Sequence, residues 1–132
     1  MPLPGTTGAE KTFAKESLRA SVFEAPVLTA TAVAGAATLN SAQGVITSES
    51  LSTAAGLLYT LTLTNSLVST TDLGDASVSN GTNTAGVPAV ATVSPGGGVL
   101  TVVIQNIQAT AAFNGTIKIA FQVIKNFNPN QL

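Results

Sequence analysis

Apolar and polar side chains alternate with a period of two along most of the chain after residue 26. In LLYTLTLTN, residues 57–65, the apolar side chains of Tyr59, Leu61 and Leu63 fall on one face and threonines fall on the other. Successive side chains of a strand point to opposite faces of a sheet. The pattern therefore predicts strands with one buried face and one face toward solvent or a partner.

Seven such segments, separated by turn motifs, predict an all-β fold. The turn motifs are SNGTN, SPGGG and FNGT, whose Gly and Asn residues are expected to supply positive φ angles. About seven short strands at this spacing predict an antiparallel β-sandwich or a small barrel. The last segment follows Asn114-Gly115 and is predicted to be a central strand, with Ile117, Ile119, Phe121 and Val123 in the core. The predicted strands are residues 27–33, 44–47, 57–65, 76–80, 89–93, 99–107 and 116–125.

Charge divides the chain near residue 26. Six of its eleven charged residues lie in the first 24 positions, and only three lie between residues 25 and 117. The predicted organisation is an N-terminal arm over 1–26, a sandwich domain over 27–125 and a C-terminal tail over 126–132. The arm is expected to be either extended or partly helical, because Ala14, Leu18 and Val22 have helical spacing while Pro2 and Pro4 favour extended chain.

The low content of charge distinguishes this chain from an ordinary soluble domain. Charged residues are 8% of the sequence and the net charge is −1, whereas about a quarter of residues are charged in a typical domain. Such a surface suits a protein packed against neighbours, because interface cores are depleted in charge. Neither nucleic acid nor membrane is an expected partner, because no basic patch and no apolar stretch of about 20 residues is present.

The usual side chains of catalysis are scarce. The chain has no His and no Cys, and its many serines lack nearby bases that could activate them. Asp72 and Asp75 flank a glycine in TDLGD, which could serve a calcium site, but two carboxylates are few ligands and solvated turn residues are the favoured interpretation. We expect no enzymatic activity, no cofactor and no metal.

Three further motifs have ordinary structural interpretations. SPGGG is expected to form a hairpin turn, because no Gly-Lys-Ser/Thr follows it. The two Asn-Gly-Thr triplets at Asn80 and Asn114 match a glycosylation acceptor but fall where turns are needed. Alternating threonines such as Thr60, Thr62 and Thr64 suit the outer face of a strand better than an ice-binding array, which would need a fixed repeat.

The second half of the chain resembles a known group of proteins. Residues 78–125 contain an Asn-Gly-Thr strand end, Ala-Gly-Val-Pro, a Pro-Gly-Gly-Gly turn, an IQN strand end and a closing NGTIKI strand. In these features the segment resembles small virion structural proteins of tailed bacteriophages, of the capsid cement or decoration type. The resemblance covers turns and strands and leaves out the arm. It implies a β-sandwich that binds a virus particle and has no catalytic residues.

The expected function is to stabilise a capsid surface. The partners would be the major capsid protein and copies of the chain itself, as a homo-oligomer (dimer or trimer), and the protein would be made in the host cytoplasm and located on the virion. The alternative is a tail or spike component, or another β-sandwich module, that binds a host-surface receptor or glycan. The residues expected at the interface are Phe13, Leu18, Val22, Phe23 and Phe127.

Overall fold

The alternating segments build two four-stranded sheets that stack through their apolar faces. The structure is a computed structural model, and it describes residues 27–126. No helix occurs among these residues, so none within that range could span a membrane. The predicted all-β sandwich is confirmed. The strands are β1 (Thr29–Thr31), β2 (Ala36–Thr38), β3 (Gln43–Thr47), β4 (Leu58–Thr64), β5 (Leu73–Asn80), β6 (Pro88–Gly96), β7 (Val99–Asn106) and β8 (Ile117–Ile124).

Each sheet is mixed, which corrects the expectation of antiparallel pairing throughout. Sheet A has the strand order β1-β3-β8-β5 and sheet B the order β2-β4-β7-β6. Four neighbouring pairs are antiparallel, but β1 runs parallel to β3 and β2 runs parallel to β4. Strand β8 lies between β3 and β5, so its predicted central position is confirmed.

The core lies between the two sheets and follows the alternation in the sequence. Strand β4 contributes Leu61 and Leu63, and β7 contributes Leu100, Val102 and Ile104, each at most 1% exposed. Burying one such side chain fully stabilises the fold by about 1.5–3 kcal/mol. From sheet A, the inward positions predicted on β8 are all buried: Ile117, Ile119, Phe121 and Val123.

A tight turn carries the chain from sheet A to sheet B and creates a strand that the pattern did not predict. Ala34 and Gly35 both have positive φ, at 52° and 76°, between Val33 and Ala36, whose backbones hydrogen bond. A Cβ on Gly35 would lie 2.7 Å from the carbonyl oxygen of Thr60, so only glycine fits. The turn delivers β2 to the edge of sheet B.

The glycines of the three predicted turn motifs do not all have the positive φ angles that the sequence analysis expected. Strand β6 continues through Pro95 to Gly96, so only Gly97 and Gly98 connect β6 to β7, and Gly98 has a φ of 74°. Gly81 and Gly115 do not have positive φ, which makes the prediction wrong for those two positions. Their role is close packing, because a Cβ on either glycine would overlap a neighbouring threonine.

Candidate interaction surfaces

The outer face of sheet B is uncharged and rich in threonine. Along β4, Thr60, Thr62 and Thr64 are exposed on this face. Thr62 lies beside Thr101 of β7, in a row that runs from β2 to β6. We call this surface the threonine face, and define it by Ala36, Thr38, Thr60, Thr62, Thr64, Thr92, Ser94, Thr101, Val103 and Gln105.

All charged side chains of the described range lie away from the threonine face. Asp75 and Lys118 occupy exposed positions of β5 and β8 in sheet A. The other three are held in contacts with the rest of the sandwich, and they are Glu49, Asp72 and Lys125. The sandwich therefore has one charged side and one uncharged side, and a partner could cover the latter without removing a charge from water.

An apolar cluster lies at one end of sheet B. Leu57, Leu58, Val87 and Ile107 are each between 43% and 59% exposed. The backbone of Asn106 bonds to Leu57, and that of Ile107 bonds to Val87, which brings the three segments together. We call these four residues the apolar end. Exposed apolar side chains grouped in this way are typical of contact surfaces.

The two Asn-Gly-Thr triplets pack against each other. The backbone N–H of Thr82 donates to Oγ1 of Thr116, and the N–H of Thr116 donates to Oγ1 of Thr82, both at 2.9 Å. The absence of a side chain at Gly115 permits this approach, because a Cβ there would lie 2.5 Å from Thr82 Oγ1. The triplets thus form a reciprocal clamp between the loop after β5 and the loop before β8.

Asn114 is occupied by this clamp and is poorly suited to carry a sugar. Its Oδ1 accepts from the N–H groups of Thr84 and Ala85 at 2.8 and 3.2 Å, and its Nδ2 donates to Thr84 Oγ1. Attaching a glycan to Nδ2 would disturb these bonds. The geometry gives the second triplet a structural role, which is close packing of two loops and not the predicted positive-φ turn.

Asp72 is a buried ion-pair partner, which corrects its interpretation as a solvated turn residue. Its side chain is 2% exposed and bonds to Lys125 Nζ at 2.7 Å. The backbone N–H groups of Asn126 and Ser69 also donate to its carboxylate. The Lys125 ammonium, followed by these N–H groups, lowers the pKa of Asp72 well below its usual range. The contact ties the loop before β5 to the end of β8. Asp75, by contrast, is exposed.

Glu49 and Tyr59 form a second structural contact. Glu49 accepts a hydrogen bond from Tyr59 Oη at 3.0 Å and one from the N–H of Gly35 at 2.8 Å. Burial, then the bond to Glu49 and its negative charge, raise the pKa of Tyr59 above its usual range. The carboxylate thereby holds the turn between β1 and β2 against β4, and both of its oxygens are engaged in structure.

The described residues offer little for metal or acid–base chemistry. Among residues 27–126 there is no group of three or more carboxylate, His or Cys side chains that could hold a metal ion. Asp72, Glu49 and Tyr59 are each bonded to a structural partner. The threonine face and the apolar end are the surfaces of the described residues that we consider as contact sites.

A shallow depression lies on the outer face of sheet A. It has a volume of about 280 Å³. Small side chains at Ala76, Ser77 and Ala120 leave the space. Polar side chains of Gln43, Asp75 and Gln122 surround it. The arrangement offers hydrogen-bonding groups, and the aromatic residue in its lining is Phe121, whose side chain is buried in the core.

The interface residues predicted from the sequence all lie outside residues 27–126. They are Phe13, Leu18, Val22, Phe23 and Phe127, and the structure neither brings them together nor separates them. The threonine face was visible in the sequence only as isolated tracts, because strand order decides which tracts become neighbours. Comparisons of the chain with protein-family models, with curated protein sequences and with solved structures found no match.

Proposed function

We propose that this chain is a non-enzymatic structural protein of a virion, which binds the capsid surface as a cement or decoration protein. The observation that carries the proposal is the uncharged threonine face, bordered by the apolar end. A partner can cover this surface without taking a charge out of water, provided that it supplies hydrogen bonds to the threonine hydroxyls. The resemblance of residues 78–125 to small phage virion proteins supports the same class of function.

Each single contact with a capsid would be weak, but many such contacts together would bind strongly. Apolar burial contributes about 25 cal/mol per Å², and the apolar end offers only four such side chains. A homo-oligomer that presents the same face several times to a symmetric shell gains avidity, because each further contact becomes intramolecular. The arm residues Phe13, Leu18, Val22 and Phe23, together with Phe127 in the tail, would add contacts to neighbouring subunits.

A charge placed on the threonine face tests the proposal. Thr62→Arg adds a cation to an exposed position at the centre of the face, so we expect it to abolish co-sedimentation with capsids assembled from the major capsid protein of the same genome. The matched control is Thr31→Arg, which alters an exposed threonine on the outer face of sheet A. Both variants should keep the free energy of unfolding within about 0.5 kcal/mol. Equal binding by the two variants and the unaltered protein would rule out this face.

The depression on sheet A supports a second candidate function, which is binding of a host-surface glycan by a tail or spike component. Gln43, Asp75 and Gln122 could hydrogen bond to sugar hydroxyls there. A glycan array with the pure protein separates the two candidates. Binding that is lost in Gln122→Ala and retained in Thr62→Arg would favour the glycan function and count against the capsid function.

A further inference from the structure

Asn80 and Asn114 are each followed by a glycine, and an Asn-Gly sequence is chemically labile. In an open chain the backbone nitrogen of the glycine attacks the side-chain carbonyl carbon of the asparagine. The bond from that carbon to the side-chain nitrogen breaks, ammonia leaves with the proton of the attacking nitrogen, and a succinimide ring remains. Water then opens the ring to an aspartate or an isoaspartate. Glycine favours the attack because it has no side chain to hinder its nitrogen.

The attacking nitrogen of the first Asn-Gly sequence is engaged in the clamp. The N–H of Gly81 donates to the carbonyl of Thr116 at 2.9 Å. The Asn80 side chain is held as well, because its Oδ1 accepts from Asn83 Nδ2 at 2.8 Å. Ring closure requires the reacting atoms to be free to approach and align, so both bonds must break before Asn80 can react.

The second Asn-Gly sequence is protected through its side chain. Oδ1 of Asn114 accepts from the N–H groups of Thr84 and Ala85, and Nδ2 donates to Thr84 Oγ1 at 2.9 Å. Within residues 27–126, the N–H of Gly115 has no hydrogen-bond partner. Protection of Asn114 therefore depends on the three bonds that fix the orientation of its amide.

The side chain of Asn83 connects the two protected sites. It is 3% exposed, its Nδ2 donates to Asn80, and its Oδ1 accepts from the backbone N–H of Asn114 at 2.9 Å. The reciprocal bonds between Thr82 and Thr116 lie directly beside it in the same pair of loops. Separation of these loops would therefore release both asparagines together.

We propose that the clamp prevents deamidation of Asn80 and Asn114, and that both are modification sites that react when the two loops separate. An isoaspartate at position 114 adds a carbon atom to the backbone and displaces Gly115 from Thr82. A reversible opening of the clamp would thereby become permanent. The inference goes beyond the proposed function and does not depend on it, because the reaction involves only the chain and water.

Peptide mass spectrometry of the full-length protein, incubated at mildly alkaline pH, tests the proposal. The deamidation rates of Asn80 and Asn114 are measured in the folded protein and in the same protein unfolded in urea. We expect each rate to be at least about tenfold lower in the folded protein, because the reaction requires local opening. Equal rates in the two states would overturn the proposal.

Thr82→Val tests whether the clamp itself provides the protection. The change keeps the shape of the side chain but removes the Oγ1 that accepts from the N–H of Thr116. We expect both folded-state rates to rise about fivefold, which is the factor that one lost hydrogen bond produces. Thr31→Val is the matched control, because Thr31 is an exposed threonine of β1, and it should leave both rates unchanged. No rise in Thr82→Val, or the same rise in Thr31→Val, would contradict the proposal.

A core variant distinguishes local opening of the clamp from unfolding of the whole sandwich. Val102→Ala removes both methyl groups of a fully buried side chain, and it should lower the free energy of unfolding at least as much as Thr82→Val does. Val102 lies within β7, outside both triplets, so we expect it to leave the deamidation rates unchanged. A rise equal to that in Thr82→Val would mean that global unfolding controls the reaction, and it would overturn the proposal.

The deamidated protein can be isolated by ion exchange, because each conversion adds a negative charge. We expect the species with an isoaspartate at position 114 to have a lower Tm than Asn114→Asp, which has the same charge and a normal backbone. In Asn114→Asp the carboxylate can still accept from the N–H groups of Thr84 and Ala85. Equal Tm values would contradict the claim that the modification holds the clamp open.

Discussion

Among the buried polar side chains of residues 27–126, that of Asn106 joins the most segments. It is 0% exposed at the end of β7. Its Oδ1 accepts from the N–H groups of Val87 and Gln108, each at 3.1 Å, and its Nδ2 donates to the carbonyls of Thr53 and Ala111. Every donor and acceptor of the amide is therefore used, as burial of a polar group requires.

Asn106→Ala should destabilise the fold strongly. The change leaves two N–H groups and two carbonyls without their partner, and each unpaired buried group costs about 1–3 kcal/mol. We expect a loss of about 3 kcal/mol or more in urea unfolding. Asn40→Ala is the control, because Asn40 is exposed and accepts one bond from Ser66, and it should cost less than about 1 kcal/mol. Similar losses for the two variants would contradict the assignment.

The Asp72–Lys125 contact makes the stability depend on acidity. The pKa of Asp72 is lower in the folded than in the unfolded chain, so the contact stabilises the fold fully above the unfolded pKa of about 4 and loses that effect as the pH falls below it. We expect Asp72→Asn to lose less stability than the unaltered protein between about pH 6 and about pH 3. Asp75→Asn alters an exposed carboxylate as the control. Parallel losses in all three proteins would contradict this role.

The clamp between the two Asn-Gly-Thr triplets requires a residue without a side chain at position 115. In Gly115→Ala the new Cβ would lie 2.7 Å from the carbonyl carbon of Thr82 and 2.8 Å from the nitrogen of Asn83. Because these are backbone atoms, the loops must separate, at a cost of about 1–3 kcal/mol. Gly97→Ala is the matched control, since no atom lies within 4 Å of its Cβ and its φ is not positive. A calorimetric Tm that falls equally in both would refute the clamp.

The long alternating strands and the short strands β1 and β3 overlap segments predicted from the sequence, whereas the short strand β2 could not be predicted. In β4 and β8 the change between apolar and polar residues is regular, so the inward positions Leu61, Ile119 and Phe121 followed directly. Strand β2 has three small residues, AAT, and no such pattern. The parallel pairing of β1 and β2 depends on the turn at Gly35, whose conformation is set by contacts with Glu49 and Thr60.

The candidate surfaces could be predicted only in part, for the same physical reason. The low charge of residues 27–117 predicted an uncharged contact surface, and Thr60, Thr62 and Thr64 were expected on an outer face. That Thr101 joins them depends on the pairing of β4 with β7, which alternation alone does not specify. Asp72 was misread because its partner Lys125 is 53 residues away in the chain.

Taken as one molecule, the sandwich has a division of surfaces that suits assembly. Sheet B presents the threonine face and the apolar end, and sheet A carries the exposed charges of Asp75 and Lys118. In the proposed arrangement sheet B contacts the shell. In a homo-oligomer this contact would be repeated, and the avidity of the assembly would exceed the affinity of any single face.

The most direct test of the central claim is the copy number of this protein in purified virions, measured by quantitative mass spectrometry against the major capsid protein. A cement or decoration protein occupies repeated sites on the shell, so the account predicts a copy number comparable to that of the major capsid protein. A few copies per particle would indicate a tail or spike component, and absence from the particle would contradict the account entirely.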